Sequence, residues 1–166
     1  MAFPQDLLEQ AQHLANREPR KPKQASLRRA VSTAYYALFH LLITEAAKNW
    51  RRPAERTAFG GIFEHRRMKD EVRVRKPVTI WNHSKTVPPA RRHPTVVEEH
   101  LYFVADTFVD MQEHRHAADY DSGRRWTRVG TVELVDRVAE AFQSWKAIRK
   151  EGAAQEFLVS LLLRER

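Results

Sequence analysis

The chain has 166 residues, enough for one domain that buries its own core, and its lack of cysteine excludes disulfide scaffolds, thiolate zinc sites, iron–sulfur clusters and cysteine nucleophiles. With 42% hydrophobic and 30% charged residues, five glycines and a mean hydropathy of -0.63, it reads as a charged, helix-rich globule. The net charge of +8 is unevenly placed: residues 1–50 carry +3, residues 51–95 carry +8, and residues 96–166 carry −3.

Pro4, then Leu7, Leu8, Ala11 and Leu14 at helical spacing, predict an amphipathic helix over 4–16, and Pro19 to Lys23 form a linker. From Gln24 to Trp50 there is neither Gly nor Pro, and Ala30, Ala34, Leu38, Leu41, Leu42 and Glu45 share one side of a long helix. Tyr35, Phe39, Ile43 and Ala46 widen its apolar surface, which predicts a central helix contacted on most sides. Pro53 ends it. Breakers at Gly60-Gly61, Pro77, Pro88-Pro89 and Pro94 make 54–95 a long basic loop, holding a short helix over 62–74 and an extended piece over 78–81.

The clearest periodicity follows: Val97, Leu101, Val104, Phe108, Met111, Arg115 and Ala118 define the seam of a helix over 95–118. Its turn is Asp119 to Gly123. Thr131 is the predicted cap of a helix reaching Lys150, Gly152 its predicted end, and a last helix covers 153–163. The sum is an all-α bundle of five to six helices, read as a single domain over 1–166. The amino terminus lacks a basic stretch followed by an apolar one, and no apolar run is long enough to cross a bilayer, so the expectation is a cytoplasmic protein with no membrane partner.

Ser26-Leu27-Arg28-Arg29 and Ala34-Tyr35-Tyr36-Ala37-Leu38-Phe39-His40 resemble the Ser-x-x-Arg and Ala-Tyr-Tyr-Ala-x-Phe-His signature of HEPN domains, the higher-eukaryote-and-prokaryote nucleotide-binding family. Met111-Gln112-x-x-Arg115-x-x-Ala118-Asp119-Tyr120-Asp121 resembles the Gln-x-x-Arg-x-x-Ala-Asp-Tyr-Asp of one branch, so that the likeness covers about residues 24–150, with helices 4–16 and 153–163 as elaborations. The resemblance implies an antiparallel bundle, often a homodimer, in defence, toxin–antitoxin or RNA-processing systems, and in many members a metal-independent ribonuclease. RNA supplies its own 2′-OH nucleophile, so such a protein need only move protons and stabilise the charged phosphorane. Carried onto this chain, His40 or His116 would move a proton, Arg115 would stabilise the phosphate, and Asp119, Tyr120 and Tyr36 would orient them. The departure is in spacing: none of the eight histidines has an arginine five to seven positions before it. A module that binds a nucleotide, or a partner protein of a two-component system, is the alternative the resemblance leaves open.

Each candidate also has a plainer reading. Arg115 on an apolar seam is either a phosphate ligand or an arginine bolted to Asp119 one turn on. His40, on the polar stripe Arg29, Thr33, Tyr36, His40 and Thr44, is either a site residue or a satisfied core histidine. Arg66, Arg67, Lys69, Arg91 and Arg92, interleaved with Phe63 and Trp81, suit single-stranded RNA by charge and stacking, or form a solvated loop. Trp126 between Arg125 and Arg128 carries the same ambiguity. His114 and His116 point about 200° apart on a helix and cannot share an ion, so neither metal nor cofactor is expected.

Overall fold

A computed structural model describes residues 3–18, 20–48 and 95–161. Five helices lie among them: α1 (Phe3–Asn16), α2 (Gln24–Lys48), α3 (Val96–Tyr120), α4 (Arg128–Ile148) and α5 (Gly152–Ser160). No strand occurs among the described residues, and the fold is an all-α helical bundle. The helix expected over 62–74, the extended piece over 78–81 and the basic candidates Arg66, Arg67, Lys69, Arg91 and Arg92 lie outside the described residues. No helix among those described is long and apolar enough to cross a membrane.

Local chemistry sets the helix ends. A capping box opens α3: the Thr95 hydroxyl accepts the Glu98 N–H at 3.3 Å while the Glu98 carboxylate accepts the Thr95 N–H at 2.7 Å. At α4 the sequence expectation is corrected, because Thr127, not Thr131, caps it, its hydroxyl accepting the Gly130 N–H at 3.1 Å. Thr131 is instead wholly buried one turn inside. Gly152 does not end α4 but opens α5 after a turn over 149–151.

The chain divides into two compact units, Met1–Leu41 with Thr107–Phe142, and Leu42–Asp106 with Gln143–Arg166. In the first unit α2 and α3 run antiparallel, since rising numbers on one meet falling numbers on the other: Arg28 reaches the Ala118 carbonyl, Ser32 reaches Asp119, and Tyr36 meets Arg115. Six consecutive α2 residues, Ala30 to Tyr35, are buried, which a helix with one apolar stripe cannot achieve. It is therefore surrounded: the Phe108 ring of α3 lies 5.7 Å from that of Tyr35, and Leu8 and Ala11 of α1, Met111 of α3, and Val135 and Val138 of α4 are buried in the same unit. The second unit buries Leu42, Leu101, Val104, Trp145, Ile148 and Phe157, with the Trp145 and Phe157 rings 6.4 Å apart. A fully buried side chain of this kind contributes about 1.5–3 kcal/mol.

Candidate functional site

All the described candidates fall in the first unit, where paired polar residues zip α2 to α3. Ser32 and Tyr36 are four apart on α2, Arg115 and Asp119 four apart on α3, so each pair shares a helix face. The antiparallel register brings them together. The Ser32 hydroxyl donates to Asp119 Oδ1 at 2.5 Å, and the Arg115 guanidinium donates to the Tyr36 hydroxyl at 2.9 Å. Arg115 Nε lies 2.9 Å from Asp119 Oδ2 but off the N–H axis, so the contact is an ion pair rather than a straight hydrogen bond.

Aromatic rings enclose the guanidinium. Its carbon sits 5.9 Å, 5.5 Å and 6.0 Å from the ring centres of Tyr35, Tyr36 and Tyr120. Burial works against the positive charge, yet the Tyr36 hydrogen bond and the Asp119 carboxylate outweigh it and hold Arg115 above the ordinary arginine range. Burial also pushes the Tyr35 hydroxyl well above the usual tyrosine value; Arg115 offsets this only in part, and Tyr36 adds to it. Arg115 therefore remains a cation and Tyr35 a neutral phenol at any ordinary pH.

Tyr36, Arg115, Asp119 and Tyr120 are thus brought together. His116 joins from the outside, its ring 5.0 Å from that of Tyr120 at nearly a right angle. His40 does not join: it packs edge-on against Phe3 at 5.0 Å and Phe39 at 5.4 Å, and burial lowers its pKa. The plainer alternative for Arg115, a bolt to Asp119, accordingly describes its contacts, whereas half-buried His40 has ring contacts and no hydrogen bond among the described residues, so it is not the satisfied core histidine of the plainer reading. His114 lies apart from His116, held to Asp110, whose carbonyl accepts its Nδ1–H at 2.9 Å. Among the described residues no three His, Cys, Asp or Glu side chains converge as a metal site.

Two open clefts lie in this unit on either side of Arg124 and Arg125, which line both. The first, about 510 Å³, has Asp119, Tyr120, Arg28 and Gln24 in its walls. Tyr120 is 69% exposed there, an accessible aromatic face beside cations. The second, about 410 Å³, is lined by His114, Trp126, Glu133, Leu134 and Arg137. The Arg124 guanidinium stacks on Trp126 at 4.4 Å, and Arg137 pairs with Asp110 at 2.9 Å.

Two residues that hold this region together were missed from the sequence. Arg28 donates to the carbonyls of Ala118, Asp121, Ser122 and Arg124, capping the end of α3 and fixing the connector that carries Arg124 to Trp126. Gln24 reinforces it, its side chain exchanging two hydrogen bonds with the Trp126 backbone at 2.8 and 2.9 Å. Arg28 stands beside Arg29, the arginine that the motif singles out, and nothing in the spacing separates them; Arg29 is exposed. Ser32 had a legible signal, the four-residue step to Tyr36 that matches Arg115 to Asp119. Comparison with family models, with curated proteins and with solved structures returns no match for this chain.

Proposed function

We propose that this chain is a HEPN-like helical bundle that binds RNA. The observation that carries the reading is the 510 Å³ cleft, where the motif residues Asp119 and Tyr120 share a wall with Arg124 and Arg125. Both arginines are exposed, and neither forms an ion pair with a carboxylate among the described residues. Arginines beside an exposed tyrosine face offer what a single strand needs, charge for the phosphates and a ring for a base. The net charge of +8 works in the same direction at longer range. Further support comes from the way the two motif segments meet through the Tyr36–Arg115 and Ser32–Asp119 contacts.

Binding without cleavage is the form of this reading that the contacts favour. Arg115 is engaged by Asp119 and Tyr36, and His40 is packed elsewhere. A metal-independent ribonuclease remains the second reading, on one observation: His116 and Arg115 both lie against the Tyr120 ring. There the imidazole would take the 2′-OH proton as that oxygen attacks phosphorus, and the bond to the 5′-oxygen would break with water giving the departing oxygen its proton.

The test is to incubate the protein with transfer RNA and total RNA, with and without EDTA, beside Arg125→Glu, Arg115→Ala and His116→Ala. Uncut RNA retained in a complex that weakens with salt, and more so in Arg125→Glu, is the expected result. Cleavage that survives EDTA and vanishes in His116→Ala would move the assignment to the ribonuclease. Neither binding nor cleavage would overturn the reading in favour of a nucleotide or a partner protein.

A further inference from the structure

Arg124 and Arg125 form a ridge between the two clefts, and only one of these is used by the RNA reading above. The second has a wall of different chemistry. Trp126 is buried to 6% exposure, and its Nε1–H finds no acceptor among the described residues. His114 Nδ1 lies 2.9 Å from the Asp110 carbonyl oxygen and 3.3 Å from its carboxylate, contacts that fix the imidazole ring in this wall. Leu134 adds apolar surface, Arg137 is neutralised by Asp110, and the cleft's volume is about 410 Å³. A hollow that sets Leu134, the His114 ring and the Arg124–Trp126 stack side by side, entered past two arginines, offers planar and apolar surface beside positive charge, and so suits a nucleoside better than a bare phosphate.

We propose that the His114–Trp126–Leu134 cleft is a second nucleotide subsite for RNA, reached across the Arg124–Arg125 ridge. This rests on the RNA reading and extends it. A phosphate seated on the ridge places one neighbouring nucleoside toward Tyr120 and the next toward Trp126. A strand bound this way needs its bases unpaired, so the substrate class is single-stranded RNA. The outer face of Arg124, backed by Trp126, gives the entering base a planar cation to stack on.

Glu133 makes the test clean, because it is exposed, lines only the second cleft, and holds no ion pair or hydrogen bond among the described residues. Binding of a fluorescent mixed-sequence single-stranded RNA of about ten nucleotides is measured by anisotropy, alongside the matching duplex. The proteins are the wild type, Glu133→Trp, which fills the cleft, and Glu133→Gln, which removes the charge without adding bulk, each checked for an unchanged melting curve. The expected result is binding about tenfold weaker in Glu133→Trp, with Glu133→Gln at least as tight as wild type and the duplex bound weakly. Equal binding by Glu133→Trp and wild type, or equal binding of duplex and single strand, overturns the subsite while leaving the RNA reading intact. No binding by the wild type defeats both.

Discussion

Arg115 meets Tyr36 at 2.9 Å from a position 79 residues away in sequence, while the same guanidinium faces Asp119 on its own helix. A planar fork addresses a hydroxyl and a carboxylate from fixed nitrogens, whereas an ammonium on a flexible stem holds such a pair less rigidly. Arg115→Ala leaves the Asp119 carboxylate with only Ser32 to support it among the described residues, and is expected to cost about 2 kcal/mol in urea denaturation, the usual size for a hydrogen bond to a charged group. Arg115→Lys is expected to recover only part. Full recovery by lysine would mean that the charge alone matters and that the bridging geometry does not.

Arg28 gathers four carbonyl oxygens, that of Ala118 in the last turn of α3, a group that a helix terminus otherwise leaves unsatisfied, and those of Asp121, Ser122 and Arg124 in the connector. Its loss should loosen the connector rather than unfold the bundle. Arg28→Ala is expected to speed amide hydrogen exchange over residues 121–127 by more than tenfold, with slow exchange in the middle of α2 unchanged. Exchange rising equally throughout would show a global loss of stability instead of a local latch.

Most of the fold was written in periodicity. The seam of α3 is buried where its apolar steps predict, at Leu101, Val104, Phe108, Met111 and Ala118, and the surrounded state of α2 follows from its wide apolar surface. The start of α4 was misread because two threonines stand four apart, Thr127 and Thr131, and the apolar run begins after the second; only backbone geometry shows which hydroxyl is left outside to accept an N–H. The site was half legible. Residue types on one helix face predicted Arg115 with Asp119, but nothing along α2 alone says that α1 lays Phe3 over His40 and so removes that histidine from the cluster. Cross-helix partners such as Arg28 with Ala118 depend on register, which a single helix does not encode.

Tyr35 links the site to alkaline stability. Burial keeps its hydroxyl protonated in the folded state beyond the ordinary tyrosine value of about 10, so above that pH the unfolded chain releases a proton that the folded one retains. Stability is therefore expected to fall as pH rises past about 10. Because lysines and other tyrosines titrate in the same range, the readout is a difference: the melting temperature of Tyr35→Phe should decline less steeply between pH 9 and pH 11 than that of the wild type. Parallel slopes would show that Tyr35 ionises as freely folded as unfolded.

His40 gives the opposite limb. Burial lowers its pKa below the ordinary value of about 6.5, so as pH falls through that value the unfolded chain takes up a proton that the folded chain resists. The contribution is present above the unfolded pKa and is lost progressively toward and below the folded one. Its neighbours explain the direction: the Phe3 and Phe39 rings meet it edge to face, and among the described residues no carboxylate pairs with it to favour the imidazolium. His40→Phe keeps a ring between those two and removes the titration, so its loss of melting temperature from pH 7 to pH 5 should be smaller than that of the wild type. Proton NMR checks the cause directly, since the His40 ring resonance should titrate with a midpoint below about 6.5. A midpoint at or above that value would show that an unseen acid supports the charged ring, and His40 would return as a candidate for proton transfer.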